Sequence, residues 1–335
     1  MRVPHLFLLA TLLVSTGATA SGPQCPAVEA PPAPVCVAAP HGLAYADSER
    51  EANVAAGALG EAAQRFGLHF GRVPVGALIL STSLDPTAAR DFARAHGLEY
   101  AQVWLPTRAK RSMTERAMRQ AGMDRARINQ ALSRAAEQDA VTLRHEVGHA
   151  MYRAIYFPGT EGSLQDRYGT PAPDWLDEAA AILMEQPEAQ ARHLASFMDA
   201  AKHRPRTIPG LIDFVEAEHP VRSAALARAL ARGPRSESGV QMMVTTGNGF
   251  AGLDSFYGQS LLMALFLAET SGDPRILMPI SSAIAGGATF EQWLASDGGR
   301  HGLPGGLLAL QSLWDSWLQV QVMNPDRGAN AEGGT

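Results

Sequence analysis

The sequence predicts a predominantly helical α+β protein with a small sheet near its N-terminus and a helical C-terminal half. Two short apolar runs, 73–80 and 100–105, have the length and composition of strands, and a helical stretch at about 86–96 separates them. An alanine-rich stretch at 47–66 predicts a helix before this pair of strands. After about residue 205 the pattern is helical and closes with a helix at 307–322.

The N-terminus is typical of an export signal. Arg2 precedes an apolar run at 6–14, and Ala18-Thr19-Ala20 has the small-residue pattern of a cleavage site. We therefore expect residues 1–20 to be a signal peptide. The run is well short of the roughly 20 residues that a membrane-spanning helix needs. The prediction is an exported protein, periplasmic or secreted, without a membrane span.

The only two cysteines, Cys25 and Cys36, follow the predicted cleavage site within a proline-rich segment. In an oxidising compartment we expect them to form a disulfide, and they lack the C-x-x-C spacing of a metal or redox site. The net charge of −5 and the lack of a basic patch argue against nucleic-acid binding. No feature of the sequence predicts an oligomeric state.

The residues with the clearest chemistry are His145-Glu146-Val147-Gly148-His149. Two histidines four residues apart lie on the same face of a helix, so both imidazoles can bind one zinc ion. Glu146 lies between them and can act as a general base toward a water molecule. The flanking residues predict an amphipathic core helix at about 140–156, with a buried stripe of Leu143, Val147, Ala150, Met151, Ala154 and Ile155.

A catalytic zinc site takes a third protein ligand and leaves a fourth position for water. The metzincin class of zinc peptidases uses a later histidine, but Ile155 occupies that position here, and Tyr152 replaces a glycine of the same pattern. The segment 173–181 supplies an alternative, because it predicts a helix that starts near Trp175 and carries Glu178 in its first turn. The other interpretation of Glu178 is a glutamate that only interacts favourably with the helix dipole.

Other acidic residues surround this candidate ligand. Asp174 can cap the helix, with Asp177 at its third position, and we expect the helix to run to about Glu185 before Pro187 ends it. Glu185 can reach a ligand histidine as an outer hydrogen-bond partner. In a related zinc-site pattern, an aspartate four residues after the ligand glutamate is such a hydrogen-bond partner. Ile182 occupies that position here, so this carboxylate is absent or comes from elsewhere in the chain.

The two motifs together, with Trp175-Leu-Asp-Glu-Ala as the second, resemble the gluzincin clan of zinc metallopeptidases and, within it, the bacterial peptidase MA-like family. The resemblance implies a zincin-like catalytic domain with one Zn²⁺ per chain. His145, His149 and Glu178 would be its ligands, Glu146 the general base, and a peptide or protein the substrate. The gap between the motifs is longer than in the thermolysin and aminopeptidase patterns.

The resemblance extends to Tyr257 and Gln259, at the start of a later helix that we expect to be capped by Asp254 or Ser255. A tyrosine hydroxyl near the metal can stabilise the oxyanion that forms during hydrolysis. Equally, Tyr257 can be an aromatic residue that packs on the core. The remaining histidines have no partner at ligand spacing, and we expect surface or capping roles for His69, His96, His193, His203, His219 and His301.

The predicted organisation follows from these elements. We expect a proline-rich lead-in with the disulfide at 21–42, the zincin-like catalytic domain at 43–205, a helical part at 206–322 and a disordered polar tail at 323–335. Within the catalytic domain, the glycine- and proline-rich stretch 157–174 predicts a loop that borders the metal.

Three functional hypotheses are compatible with the sequence. The first is an exported zinc metallohydrolase that cleaves peptide bonds. The second is a catalytically silent zincin-fold protein kept for binding or scaffolding in the cell envelope, which would bind metal without turnover. The third is a helical envelope protein with a fortuitous motif, which would bind no metal. The intact Glu146 favours the first, because metal binding alone does not need it.

Overall fold

The computed structural model describes residues 22–160, 170–220 and 251–323, and for 134–138 and 251–254 it describes the backbone alone. The described residues form a mostly helical α+β protein with a small four-stranded sheet, as predicted. The predicted signal peptide and residues 324–335 of the predicted tail lie outside the described residues. Within the described ranges, no helix combines the length and the apolar character needed to cross a membrane.

The sheet has the strand order β1-β2-β3-β4. Its strands are β1 (Val35–Ala39), β2 (Gly42–Ala46), β3 (Gly76–Leu80) and β4 (Tyr100–Trp104). β1 and β2 form an antiparallel hairpin, whereas β2, β3 and β4 are mutually parallel. β3 and β4 match the two predicted strands. β1 and β2 were missed, and because β1 begins at Val35, the proline-rich lead-in contributes a strand to the sheet.

Two helices connect the parallel strands and cover opposite faces of the sheet. α1 (Glu49–Phe70) lies between β2 and β3 in the chain, and α2 (Pro86–Ala95) lies between β3 and β4. Each begins at a side-chain cap, with Ser48 accepting a hydrogen bond in α1 and Asp85 in α2. α1 packs its alanine-rich face into the main core, while α2 packs into a smaller cluster on the other face.

The next four helices carry the two sequence motifs. α3 (Thr107–Gln120) leads into α4 (Arg125–Tyr156), whose C-terminal half is the predicted motif helix. α5 (Asp174–Ile182) carries the second motif and ends three residues earlier than predicted. Pro187 is the first residue of α6 (Pro187–His203), where its missing N–H costs no hydrogen bond. Of the predicted loop between the motifs, residues 161–169 lie outside the described ranges.

The C-terminal half is helical, as expected. Its helices in the described residues are α7 (Leu211–Val215), α8 (Ala251–Ser271), α9 (Leu277–Ala285), α10 (Phe290–Asp297) and α11 (Leu307–Met323). α8 begins before Asp254 and Ser255, so the predicted cap at either residue is wrong. α11 agrees with the predicted closing helix and includes Met323, the first residue of the predicted tail.

The main hydrophobic core joins the sheet side to the C-terminal helices. Trp175 at the start of α5 is fully buried, and its ring meets Phe290 of α10 edge-on at 5.5 Å between centroids. The same cluster contains Leu143 and Val147 of α4, which confirms the predicted buried face of that helix. The division into a catalytic domain and a helical part stays a prediction.

The predicted disulfide is present between Cys25 and Cys36, with Cα atoms 6.0 Å apart. It ties the first described residues to β1. A disulfide is consistent with folding in an oxidising compartment outside the cytoplasm.

Candidate metal centre

A close approach of α4 and α5 brings the two motifs together, and Gly148 makes it possible. A Cβ atom on Gly148 would lie 2.7 Å from Cα of Ala181 and 3.0 Å from the carbonyl oxygen of Ala180. Any side chain at position 148 would therefore overlap with the backbone of α5. The glycine inside the first motif and the alanines that follow Glu178 fit one another across this contact.

Donor atoms of three side chains converge at the α4–α5 contact. Nε2 of His145 lies 3.2 Å from Nε2 of His149. Oε2 of Glu178 lies 3.4 Å from Nε2 of His145, and its Oε1 lies 3.6 Å from Nε2 of His149. All three residues are buried, and within the described parts of the chain they form the one group of three or more such side chains arranged to hold a metal ion.

The donor geometry fits a metal ion. Ligand atoms about 2.0–2.2 Å from a tetrahedral ion lie roughly 3.3–3.6 Å from one another. The 3.2 Å between the two Nε2 atoms and the 3.4 and 3.6 Å from each of them to the nearer oxygen of Glu178 are close to this range. Both carboxylate oxygens of Glu178 are buried and accept no hydrogen bond from the described residues. A buried polar atom without a partner is costly. Coordination of a cation would compensate these oxygens, so the site can hold a metal ion.

Each of the two motif histidines has a carboxylate hydrogen-bonded to its Nδ1. Nδ1 of His145 donates to Oε1 of Glu185 at 2.8 Å, and Nδ1 of His149 donates to Oδ1 of Asp177 at 3.0 Å. Because a carboxylate only accepts, the proton is on Nδ1 and the lone pair of each neutral ring is on Nε2, which faces the site. The expected hydrogen bond between Glu185 and one of the two motif histidines is therefore confirmed, and Asp177 is the corresponding partner of His149.

Burial and the neighbouring charges shift the pKa values of these side chains in opposite directions. Burial alone would lower the pKa of His145, but Glu185 and Glu178 raise it to about 9. The pKa of His149 is also raised, since Asp177 and Glu178 outweigh its burial. Burial opposes the ionisation of Asp177 and Glu185, but the histidines lower both pKa values, that of Glu185 to about 2. For Glu178, burial dominates and raises the pKa.

Asp174 does not cap α5, contrary to the prediction. The residue before it, Pro173, occupies the cap position, and the described contacts include no side-chain cap bond there. Asp174 is buried, and its Oδ2 instead accepts the backbone N–H of His219 at 2.6 Å. This bond fixes His219, whose side chain is fully buried with Nε2 3.3 Å from Oε1 of Glu178.

Of the other residues that the sequence singled out, Glu146 and Tyr257 lie close to this cluster, whereas Gln259 does not. Glu146 is partly exposed on α4 and is one of the charges that raise the pKa values of His145 and Glu178. The ring of Tyr257 lies 5.7 Å from that of His145, between ring centroids. Gln259 is buried and donates to the carbonyl of Pro209, so it anchors the chain rather than the site.

Two histidines that the sequence assigned to the surface belong to this centre. His193 on α6 donates through Nε2 to Oε2 of Glu185 at 3.0 Å, and His219 contacts Glu178. The surface or capping assignment is wrong for His219, whose side chain is fully buried, and His193 is only partly exposed. No spacing rule could have identified them, because His219 lies 41 positions after Glu178, and only tertiary packing brings either residue close.

Comparison with protein-family models, with curated proteins and with solved structures finds no match. The gluzincin resemblance and the zincin-like fold therefore stay predictions from the two motifs.

Proposed function

We propose that this protein is an exported zinc metallopeptidase of the gluzincin type with a zincin-like fold. The observation that supports it most is the convergence of His145, His149 and Glu178, with Glu146 partly exposed beside them. Two histidines and one glutamate are a ligand set of catalytic zinc sites, which keep one position open. A structural zinc site would have four protein ligands instead.

The chain's own residues can divide the work of hydrolysis. Bound zinc would lower the pKa of a water molecule toward neutrality and polarise the substrate carbonyl. Glu146 accepts a proton from the attacking water and returns it to the nitrogen of the departing amine as the C–N bond breaks. Tyr257 is partly exposed, and its ring lies beside that of His145. Its hydroxyl can donate a hydrogen bond to the substrate carbonyl oxygen as negative charge develops there.

The position of one strand in the sheet favours a peptide as the substrate. Of the two strands that the sequence predicted, β3 lies between β2 and β4, so β4 is the one at the edge of the sheet. β4 also lies against α4, the helix that carries the two histidines. An extended peptide can add to such an edge through backbone hydrogen bonds.

Metal analysis and four single substitutions test the proposal. The mature chain should bind about one zinc ion, and His145→Ala or His149→Ala should abolish stoichiometric binding. Glu146→Gln should keep the metal and lose cleavage of a peptide library. Tyr257→Phe should keep the metal and lower kcat by about 100-fold, as for loss of one oxyanion donor.

The outcomes separate the hypotheses. A chain that binds zinc but cleaves no peptide would favour the silent binding or scaffold protein. A chain without zinc would indicate a fortuitous motif. Full activity of Glu146→Gln would refute its role as general base.

A further inference from the structure

Glu185 connects a predicted metal ligand to a second histidine. Its Oε1 accepts from Nδ1 of His145, and its Oε2 accepts from Nε2 of His193. Glu185 is itself buried, whereas the side chain of His193 is 21% exposed. Both carboxylate oxygens therefore depend on imidazole N–H donors, one from α4 and one from α6.

The position of His193 is fixed by the contact between α6 and α8. A Cβ atom on Gly258 would lie 2.6 Å from the carbonyl oxygen of His193 and 2.5 Å from Cβ of Phe197, so the two helices touch at this glycine. The adjacent Tyr257 meets the imidazole of His193 edge-on, with 5.5 Å between centroids and 88° between planes.

These contacts close a ring of four side chains. His145 is hydrogen-bonded to Glu185, which is hydrogen-bonded to His193, which packs on Tyr257, which in turn packs on His145. Besides His145 itself, His193 is the member that contacts both Glu185, the hydrogen-bond partner of the predicted ligand, and Tyr257, the candidate oxyanion donor.

We propose that His193 is a positioning residue of the metal centre, which holds Glu185 against His145 through its N–H and holds Tyr257 in place through its ring. The inference rests on the metal centre of the proposed function. Without the N–H donor, Oε2 of Glu185 would be buried without that hydrogen bond, and the carboxylate could rotate away from His145. The orientation of the ligand ring would then be less restricted.

Two substitutions isolate the contribution of the N–H donor to the metal centre. His193→Phe keeps an aromatic ring beside Tyr257 but loses the N–H, and His193→Gln keeps an N–H donor but loses the ring. His203→Phe, an exposed change on the same helix, is the matched control. Zinc affinity is measured by competition with a chromophoric chelator, and the visible spectrum of the Co²⁺-loaded protein reports ligand geometry.

We expect His193→Phe to bind zinc about tenfold more weakly, at the low end of the effect of outer hydrogen-bond partners, with a changed Co²⁺ spectrum. His193→Gln should retain most of the affinity, and His203→Phe should equal the parent. Thermal unfolding of the metal-free proteins checks that each variant folds. His193→Met replaces His193→Phe as the donor-free variant if the latter does not fold.

Parental zinc affinity and Co²⁺ spectrum in the donor-free variant would overturn the proposal, as would an equal loss in His193→Gln. If the parent protein bound neither Zn²⁺ nor Co²⁺, the metal centre itself would be refuted. The expected metal pattern without peptide cleavage would support the role of His193 and refute the peptidase assignment instead.

Discussion

Replacing Gly148 by alanine should damage both the fold and the metal centre. The added Cβ would lie 2.7 Å from Cα of Ala181 and 3.0 Å from the carbonyl oxygen of Ala180, closer than ordinary van der Waals contact. These are backbone atoms, so no rotamer change can relieve the overlap. α5 must move away from α4, and Glu178 moves with it.

Gly57→Ala provides a matched reference. Gly57 lies inside α1, and a Cβ there would meet no atom within 4 Å. Both substitutions replace glycine within a helix, which by itself stabilises the protein by about 0.5–1 kcal/mol. That gain cancels when the two variants are compared, which leaves the overpacking cost of about 1–3 kcal/mol. Because the overlap is with backbone, we expect Gly148→Ala to be about 3 kcal/mol less stable than Gly57→Ala.

Urea unfolding of the two metal-free variants gives the difference in stability, and chelator competition gives their zinc affinities. Gly57→Ala should unfold at a higher urea concentration than the parent and bind zinc normally. Gly148→Ala should bind zinc about 10- to 100-fold more weakly, as when ligand orientation is disturbed. Equal unfolding midpoints and equal zinc affinities would refute the idea that this close approach sets the site.

Three further outcomes follow from the site and the disulfide. The pKa of His145 is about 9 without metal, and a metal needs the neutral imidazole, so protons compete with zinc below that pH. Zinc affinity should therefore rise as pH increases toward 9. Zinc binding below that pH should release protons, which titration calorimetry in buffers of different ionisation enthalpy measures. Glu178→Gln should abolish stoichiometric zinc binding in equilibrium dialysis. Asp174→Asn weakens only the acceptor that anchors the neighbouring loop at His219, so it should lower zinc affinity by no more than about 100-fold. A larger loss in Asp174→Asn than in Glu178→Gln would contradict the ligand assignment. Replacing Cys25 and Cys36 by serine should lower the free energy of unfolding by about 3 kcal/mol at most, with zinc stoichiometry unchanged.

Local patterns predicted much of the fold and the cluster of His145, His149 and Glu178 that could hold a metal ion. The four-residue spacing of His145 and His149 is a property of one helix, and the buried stripe beside them identified that helix. Glu178 was identified because its motif predicts a second helix. Helix ends were less accurate, since packing rather than propensity decides where α4 begins and α5 stops.

The two missed strands show a limit of composition. β1 and β2 are five residues long and contain several alanines, which favour strands weakly. Their proline-rich surroundings suggested a lead-in instead. The pairing of the two strands with each other, and of β2 with β3, stabilises them, and a single sequence does not reveal such pairing.

The outer partners show a second limit. Asp174 has the sequence context of a helix cap, yet its carboxylate accepts the buried backbone N–H of His219 instead. His193 and Glu185 are eight positions apart across a turn, where no helical spacing applies. Residues that act through distant contacts in this way leave no periodic trace in the sequence.

The disulfide also affects the outer edge of the sheet. β1 is the outermost strand of its side of the sheet, and an uncovered outer strand is a template for pairing between molecules. The Cys25–Cys36 bond folds the preceding segment back beside β1, so that Gly22 lies near the carbonyl oxygens of Ala39 and Pro40. Pro23 and Pro26 in that segment have no N–H to offer a further strand. Reduction of the disulfide would thus free the segment that covers the sheet edge, and aggregation would increase while the core is still folded.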